Sequence, residues 1–413
     1  MRNWAGNIIF SAASVERPTS IEQLQDVVRR AQRVRALGSG HSFNRLADTD
    51  GTLVSLADMP RIVEVDSAAH QVRIDGGATY TDIVGALHEA GYGLGNVASL
   101  PHIAVAGAVT TATHGSGDTN RNLAAAVAAL KIVTATGEIV SFQRGDADFE
   151  GAVVNLGALG IISELTLDLI PGYEIAQNVY VGLPVTNVLD HFDALMSRAY
   201  SVSLFTRWQG KAVDQLWVKS IAGGDPVPEI LGARAADRAY HPIPDYDGND
   251  CTPQMGVAGP WHERLFHFPV GHKASAGAEV QSEHFVRRAD AAAAFAAIHK
   301  VQDQFSSALF VSEVRSVAAD DLWLSTAYGQ ETIGFHFTWK PDWEPTLAGV
   351  KVVEAALAPL SPRPHWAKVF TLRPEVIRPL YPRLEDFRAL AQRLDPDGKF
   401  RNQMVEKLIF ADR

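Results

Sequence analysis

The sequence predicts an α+β chain in two domains, the first of which carries glycine-rich loops. Its 413 residues exceed what one hydrophobic core normally organises, and 46% hydrophobic with 20% charged residues is an ordinary globular composition. Short strand-like and helix-like segments alternate as far as Leu169, where Pro171-Gly172 interrupts them. From Glu174 longer strands and helices take over, which places a boundary at residue 172.

The elements follow in order. Ile21, Leu24, Val27, Val28 and Ala31 recur at the spacing of an amphipathic helix, with Thr19 and Glu22 as its capping box. Val34 to Leu37 reads as a short strand running into the loop Gly38-Ser39-Gly40-His41-Ser42-Phe43-Asn44. Thr52 to Leu56, Ile62 to Val65 and Gln71 to Ile74 read as further strands. Thr79 caps a second helix carrying Ile83, Val84 and Leu87, and Gly91 closes it. Ala104 to Gly117 consists of small residues that cannot fill a core alone, so something bulky should lie against that backbone. Strands are expected at Leu130 to Val133, Gly137 to Val140 and Ser163 to Leu169. Beyond the boundary, strands are expected at Val202 to Phe205, Gln215 to Val218 and Phe335 to Thr338. Helices are expected at Ala291 to Val301, Pro345 to Leu357 and around Leu384 to Leu394. A loop rich in Pro and Gly fills Gly223 to His262.

Composition excludes several functions. With 37 basic against 47 acidic residues the net charge is −10, and no clustered basic face would follow a nucleic-acid backbone. The single cysteine, Cys251, precludes an intramolecular disulfide and fits a cytoplasmic location. Met1 to Asn7 lacks the apolar core of a secretory signal. No apolar run reaches the ~20 residues of a membrane span. His262 and His267 lie off the one-face spacing of a zinc helix, so no metal is expected. The expectation is a soluble monomer with small-molecule partners, no nucleic acid and no membrane.

Two loops and three later clusters can carry chemistry. In the 38–44 loop the glycines let backbone amides approach a phosphate, and Ser39 and Ser42 add hydroxyls. The loop lacks the third glycine and the acidic residue of a nicotinamide fingerprint, so turn and ligand loop remain equal readings; His41 alone reads as a surface or capping residue. The small-residue stretch ending Thr113-His114-Gly115-Ser116-Gly117 is a second ligand loop or a tight strand crossing. Glu313 and Arg315, two apart after an apolar strand start, share a face, as a structural ion pair or as a site. His336 and Thr338 alternate in the same way. His365-Trp366-Ala367-Lys368 adds another His and Lys.

In this order these segments resemble the vanillyl-alcohol oxidase superfamily of FAD enzymes, and within it the alditol (xylitol) oxidases. The resemblance spans nearly the whole chain. It runs through Asn3-Trp4-Ala5-Gly6-Asn7, Leu37 to Asn44, Ala98 to Ile103, Thr113 to Gly117 and Gly157 to Ile162. It continues through Pro260 to Leu265, Glu313-Val314-Arg315, His336 to Trp339, Arg363 to Lys368 and Asp395 to Phe400. It implies a two-domain FAD-binding fold, with residues 1–172 and a returning segment 372–413 around the cofactor and residues 173–371 as a substrate cap. It implies FAD bound covalently through His41, cradled by Gly38, Ser39, Gly40, Ser42, Phe43, Asn44, Ala98, Ser99, Gly107, Thr111, Thr113, His114, Ile162 and His365. Ala104 stands where a relative has serine. The substrate contacts it implies are Ser99, Glu313, Arg315, Thr338 and Lys368, with His336 beside the flavin.

The implied reaction oxidises the terminal primary hydroxyl of a polyol to the aldose, by hydride transfer to flavin N5, and reduces O2 to H2O2. Arg315, Lys368, Glu313 and His336 are its expected catalytic groups, and Ala98 leaves room for oxygen. An aldonolactone oxidase or dehydrogenase sharing the same clusters is the alternative enzyme. A non-catalytic nucleotide- or sugar-binding protein is the alternative of another class.

Overall fold

The computed structural model describes residues 1–222, 227–271 and 278–411. The expected loop from Gly223 to His262 therefore begins with four residues outside the described set, and the last two of the 372–413 segment also lie outside it.

Four sheets organise the described residues. A parallel three-stranded sheet is ordered Ser14–Glu16, Thr52–Val54, Val34–Ala36, and it delivers the chain into the 38–44 loop. An antiparallel five-stranded sheet is ordered Val63–Asp66, Gln71–Asp75, Ile161–Asp168, Val127–Val133, Ile139–Gln143. Tyr92–Gly93 and Ile170–Pro171 make a two-stranded ribbon. Every other strand belongs to a ten-stranded antiparallel sheet. Its centre runs Glu174–Pro184, Ala212–Ile221, Ser201–Thr206, Leu309–Val317, Thr332–Trp339, Val280–Arg287.

That central sheet is buried on both faces. Val314, Phe335, Phe337 and Trp339 pack with the helices Ala291–Lys300 and Trp343–Leu357 through Phe295, Ile298, Val350 and Val353. The alternate residues Glu313, Arg315, His336 and Thr338 point the other way, towards a cavity. Two alternating faces, one apolar and one ionised, thus come from one strand pattern.

Several expected boundaries move. The first helix, Ile21–Arg30, is capped by Ser20, whose side chain accepts from Gln23 N–H, so the cap sits one residue beyond the expected Thr19 and Glu22 pair. Thr19 instead donates to the Gln23 side chain. The second helix, Tyr80–Glu89, has the expected Thr79 cap, completed as a capping box by Asp82. The small-residue segment is a short helix, Val105–Thr110, rather than a strand crossing, and its turn of Ala106 and Gly107 faces the cavity. The expected strand at Gly137 becomes a turn with φ +79°, and the strand starts at Ile139. Trp343, not Pro345, opens the long helix. The segment expected as one loop carries the strands Glu229–Ile230, Ala233–Ala235 and Gly259–Pro260 and the helix Trp261–Arg264.

Candidate active site

A cavity of about 380 Å³ lies between the glycine loops and the central sheet. Gly38, Ser39, Gly40, His41, Ser42 and Phe43 line one side, with Gly107, Thr111, Thr113, His114 and Ile162. Gly40 has φ +72°, a conformation that glycine adopts freely, and its carbonyl accepts from Trp4 N–H at 2.8 Å. The amino-terminal motif braces this loop. Asn3 Nδ2 donates to the Ser42 carbonyl at 2.9 Å and Asn7 Nδ2 to the Phe43 carbonyl at 3.0 Å. Ser39 Oγ accepts from Ala104 N–H at 3.1 Å, and a Cβ on Gly38 would come 2.9 Å from the Ala104 methyl, so position 104 is tightly filled by alanine.

His41 stacks on Trp4, with ring centroids 4.7 Å apart, and its Nε2 lies 3.0 Å from His102 Nε2. Its Nδ1 is buried without a hydrogen bond. Burial, then the neighbouring His102, pushes the His41 imidazole down to about 3, so it is neutral at ordinary pH.

Across the cavity the register of three strands sets Glu313, His336 and Glu283 side by side. Glu283 was not singled out in the sequence, yet it is the hub. It accepts from Lys368 Nζ at 2.6 Å, Arg315 Nη2 at 3.0 Å and His114 Nε2 at 3.0 Å. Gly334, paired with Arg315, lacks the side chain that would crowd Glu283 Oε1 at 3.1 Å, so the guanidinium can reach across. Although burial raises a carboxyl, Lys368, His114 and Arg315 hold Glu283 well below the usual carboxylate range. Glu313 is also held low, by Arg315 and His267 against its burial. Arg315 Nε stands 3.5 Å from Glu313 Oε2 and has no hydrogen bond of its own.

Lys368 Nζ also donates to His336 Nδ1 at 2.8 Å, leaving Nε2–H to donate to Thr338 Oγ1 at 3.0 Å. Burial and the Lys368 charge hold His336 well below its ordinary value, and they do the same to His365. Burial also lowers Lys368, against the pull of Glu283.

The structure therefore brings Glu313, Arg315, His336, Thr338, His365 and Lys368 to one cavity with the glycine loops, Ala98 and Ser99. Asn44 departs from expectation. It does not line the cavity, because its Nδ2 donates to the carbonyls of Trp366 and Lys368, both at 2.7 Å. It ties the loop to the Lys368 segment instead. Glu283 is the group that the sequence reading passed over, while His102 entered it only inside a motif and His267 only as one of two histidines set aside as metal ligands. Alternation with Gln281 along Val280–Arg287 was the available signal for Glu283. Among the described residues, no group of three or more His, Cys, Asp or Glu is placed to hold a metal ion, and no helix is long and apolar enough to cross a membrane.

The residues fit a flavin nucleotide. An elongated wall of backbone amides, glycine and alanine faces the cavity, and a Cβ on Gly107 would meet nothing nearer than Ala104 at 3.8 Å. The unpartnered His41 Nδ1 and Arg315 Nε are buried donors or acceptors at opposite sides of that space.

Comparison with known proteins agrees. Residues 12–143 match the model of an FAD binding domain, and residues 280–408 match that of D-arabinono-1,4-lactone oxidase. An alditol oxidase from a Streptomyces species is 45% identical over 410 residues, 98% of each chain. L-gulono-1,4-lactone dehydrogenase of Mycobacterium tuberculosis is 29% identical over 428 residues, again 98% of each chain. Among solved structures, cholesterol oxidase from B. sterolicum superposes with a TM-score of 0.79 at 14% identity, covering 99% of this chain and 96% of that one. A solvent-stable cholesterol oxidase gives 0.80 at 17% identity, covering 98% and 96%. These two share the fold.

Proposed function

The chain belongs to the alditol oxidase family of FAD-dependent oxidoreductases, and we propose that it oxidises the terminal primary hydroxyl of polyols such as xylitol and sorbitol to the aldose, with reduction of O2 to H2O2. The observation that carries this reading is the ionised cluster Glu313, Arg315, Glu283 and Lys368 on the wall facing the cradle. A polyol presents alternating hydroxyls that both donate and accept, and this wall offers paired acceptors and donors already held in place by one another.

Flavin bound in the cradle supplies the two-electron acceptor. Arg315 and Lys368 donate to the oxygen of the reacting hydroxyl and offset negative charge that develops nearby. Glu313, kept ionised, accepts from the adjacent hydroxyl and orients Arg315. Ser99 and Thr338 fix the rest of the chain. The hydroxyl proton leaves through Lys368, whose Nζ already donates to Nδ1 of the neutral His336 and can pass one of its own protons there as it takes the new one. Ala98, small and beside Ser99, leaves space for oxygen.

Covalent attachment of the flavin to His41 is supported by its buried, unbonded Nδ1 on the cavity wall, with Nε2 occupied by His102. Residues 1–172 and 372–413 form the FAD domain in this reading, and 173–371 the cap. In support, among the described residues every strand from Glu174 to Pro364 joins the ten-stranded sheet and no strand before Glu174 does. Lys399 and Asn402 bond back to Val28, Arg45, Leu46 and Asp48. A cytoplasmic monomer is the reading for location and assembly, resting on the single cysteine and checked by fractionation and light scattering.

The aldonolactone reading has one observation in its favour, the lactone-oxidase model over residues 280–408. Peroxide release with xylitol, sorbitol and galactonolactone separates the two, and faster turnover of the lactone would overturn the polyol assignment. Acid precipitation tests the linkage. Yellow colour should stay with the wild-type protein and leave the His41→Ala protein; colour lost from both excludes the bond.

A further inference from the structure

Behind Glu313 the polar network continues away from the cavity. Lys219, in the strand Ala212–Ile221, is buried, and its Nζ faces three acceptors. They are the carbonyls of Leu265 and Phe266, at 2.6 and 3.0 Å, and His267 Nδ1 at 3.4 Å. Burial pushes Lys219 down to about 7 against the pull of Glu313. In its ammonium form three acceptors match three N–H groups, so that Nδ1 carries the lone pair and the ring proton sits on Nε2. That Nε2–H donates to Glu313 Oε1 at 2.8 Å.

The same residue reaches the opposite side of the substrate space. His267 N–H donates to the Ser99 carbonyl at 3.1 Å. Thr252 pins the turn, its Oγ1 donating to the Phe266 carbonyl at 2.8 Å and its N–H to the His267 carbonyl at 2.9 Å. Phe205 and Trp217 stand edge-on to the ring at 5.7 and 5.3 Å, and the ring lines the cavity beside Glu313. Burial and the Lys219 charge both hold the ring neutral, against the pull of Glu313.

We propose that His267 is a positioning residue, held in one tautomer by Lys219, which keeps Glu313 an ionised acceptor and joins it to Ser99, so that the site prefers alcohols with a hydroxyl beside the oxidised carbon. The inference rests on the reading of Glu313 as the acceptor for that neighbouring hydroxyl. Without the Nε2–H, one Glu313 oxygen would be buried with no donor, which favours the protonated carboxyl. A protonated Glu313 loses half of its accepting capacity and weakens its hold on Arg315. His267 touches neither Lys368 nor Glu283, so the ion pairs of Glu283 that hold Lys368 and one arm of Arg315 at the reacting hydroxyl stay in place.

The test compares kcat and KM for xylitol and for 1-pentanol, which lacks the neighbouring hydroxyl, in flavin-loaded protein. His267→Leu should raise KM for xylitol roughly tenfold or more, as loss of a hydrogen bond to a charged group does, with kcat changed far less. The preference for xylitol over 1-pentanol should fall by the same factor. His267→Gln, whose amide can donate to Glu313, should restore most of the preference. Lys219→Met should lower it and shift the ring-nitrogen NMR signals of His267 away from the Nε2–H tautomer. Glu313→Gln is the control for the underlying reading: an unchanged preference there sinks the role of Glu313 itself. Loss of preference in Glu313→Gln but not in His267→Leu overturns the present proposal. Should His267→Leu not fold, unchanged preference and unchanged ring signals in Lys219→Met overturn it equally.

Discussion

The two walls of the cavity are built on opposite principles. The wall of Gly38–Phe43 and Val105–Thr110 has no ionised side chain, and its polar groups are backbone amides and hydroxyls. The facing wall sets Glu283, Glu313, Arg315 and Lys368 within one ion-paired patch, all of them buried or nearly so. One wall supplies shape for a large planar group; the other supplies charge for a small polar one. Buried charge survives only when it is paired, so the second wall has little tolerance for losing a member, whereas the first is sensitive mainly to volume.

Breaking the charged wall at its hub should have the largest effect. Glu283→Gln leaves Arg315 and Lys368 without their shared anion, and should cost about 3–5 kcal/mol of stability and nearly all turnover. Calorimetry and peroxide release measure the two together; a stable, active variant would show that the cluster does not depend on its centre. Arg315→Ala comes next, with kcat reduced about 10²–10³-fold and KM changed much less. Steady-state kinetics decides, and a near-normal kcat removes Arg315 from the reaction.

A third experiment contrasts paired and unpaired carboxyls. Asp320 is buried with neutral partners only, Asn122 Nδ2 at 2.8 Å, Ser325 Oγ at 2.6 Å and Leu322 N–H at 2.9 Å. Burial pushes it up to about 6, whereas Glu283 and Glu313 are held low by their cations. Because the folded value is raised, its favourable contribution is full below the unfolded value near 4 and is lost as pH rises through about 6. The loss is at most about 3 kcal/mol, and Asp320→Asn should remove that slope in urea unfolding between about pH 4 and pH 7. The smallest energetic effect is expected on the neutral wall. Gly107→Val projects into open space, so apoprotein stability should change by about 0.5 kcal/mol or less. Flavin content per chain, read from absorbance, should nevertheless fall severalfold.

The same contrast explains what could be read in the sequence. Glu313 with Arg315, and His336 with Thr338, stand two apart about an apolar residue, Val314 and Phe337, so their shared face was legible. Glu283 was not, because its strand neighbours Ser282 and His284 are polar too and the face pattern is blurred. Lys219 and His267 were illegible for a different reason. A lysine in a strand reads as solvent-facing, and only the fold buries it against the 265–267 turn. His102 lay inside a quoted motif, but its partner His41 is 61 positions away. The first helix cap was misplaced by one residue because Thr19 and Ser20 are both competent caps, and Gln23 chose between them by bonding Thr19.

The carboxy-terminal segment has a consequence for how the protein is made. Arg35, in the strand before the first glycine loop, donates to the Phe400 carbonyl across 365 positions, and Asn402 Nδ2 closes on the carbonyls of Arg45, Leu46 and Asp48. Translation at about 5–20 residues per second leaves the amino-terminal loops exposed for tens of seconds before their last partners emerge. The strand and turn that flank the first glycine loop therefore gain these partners only once Phe400 and Asn402 have been made.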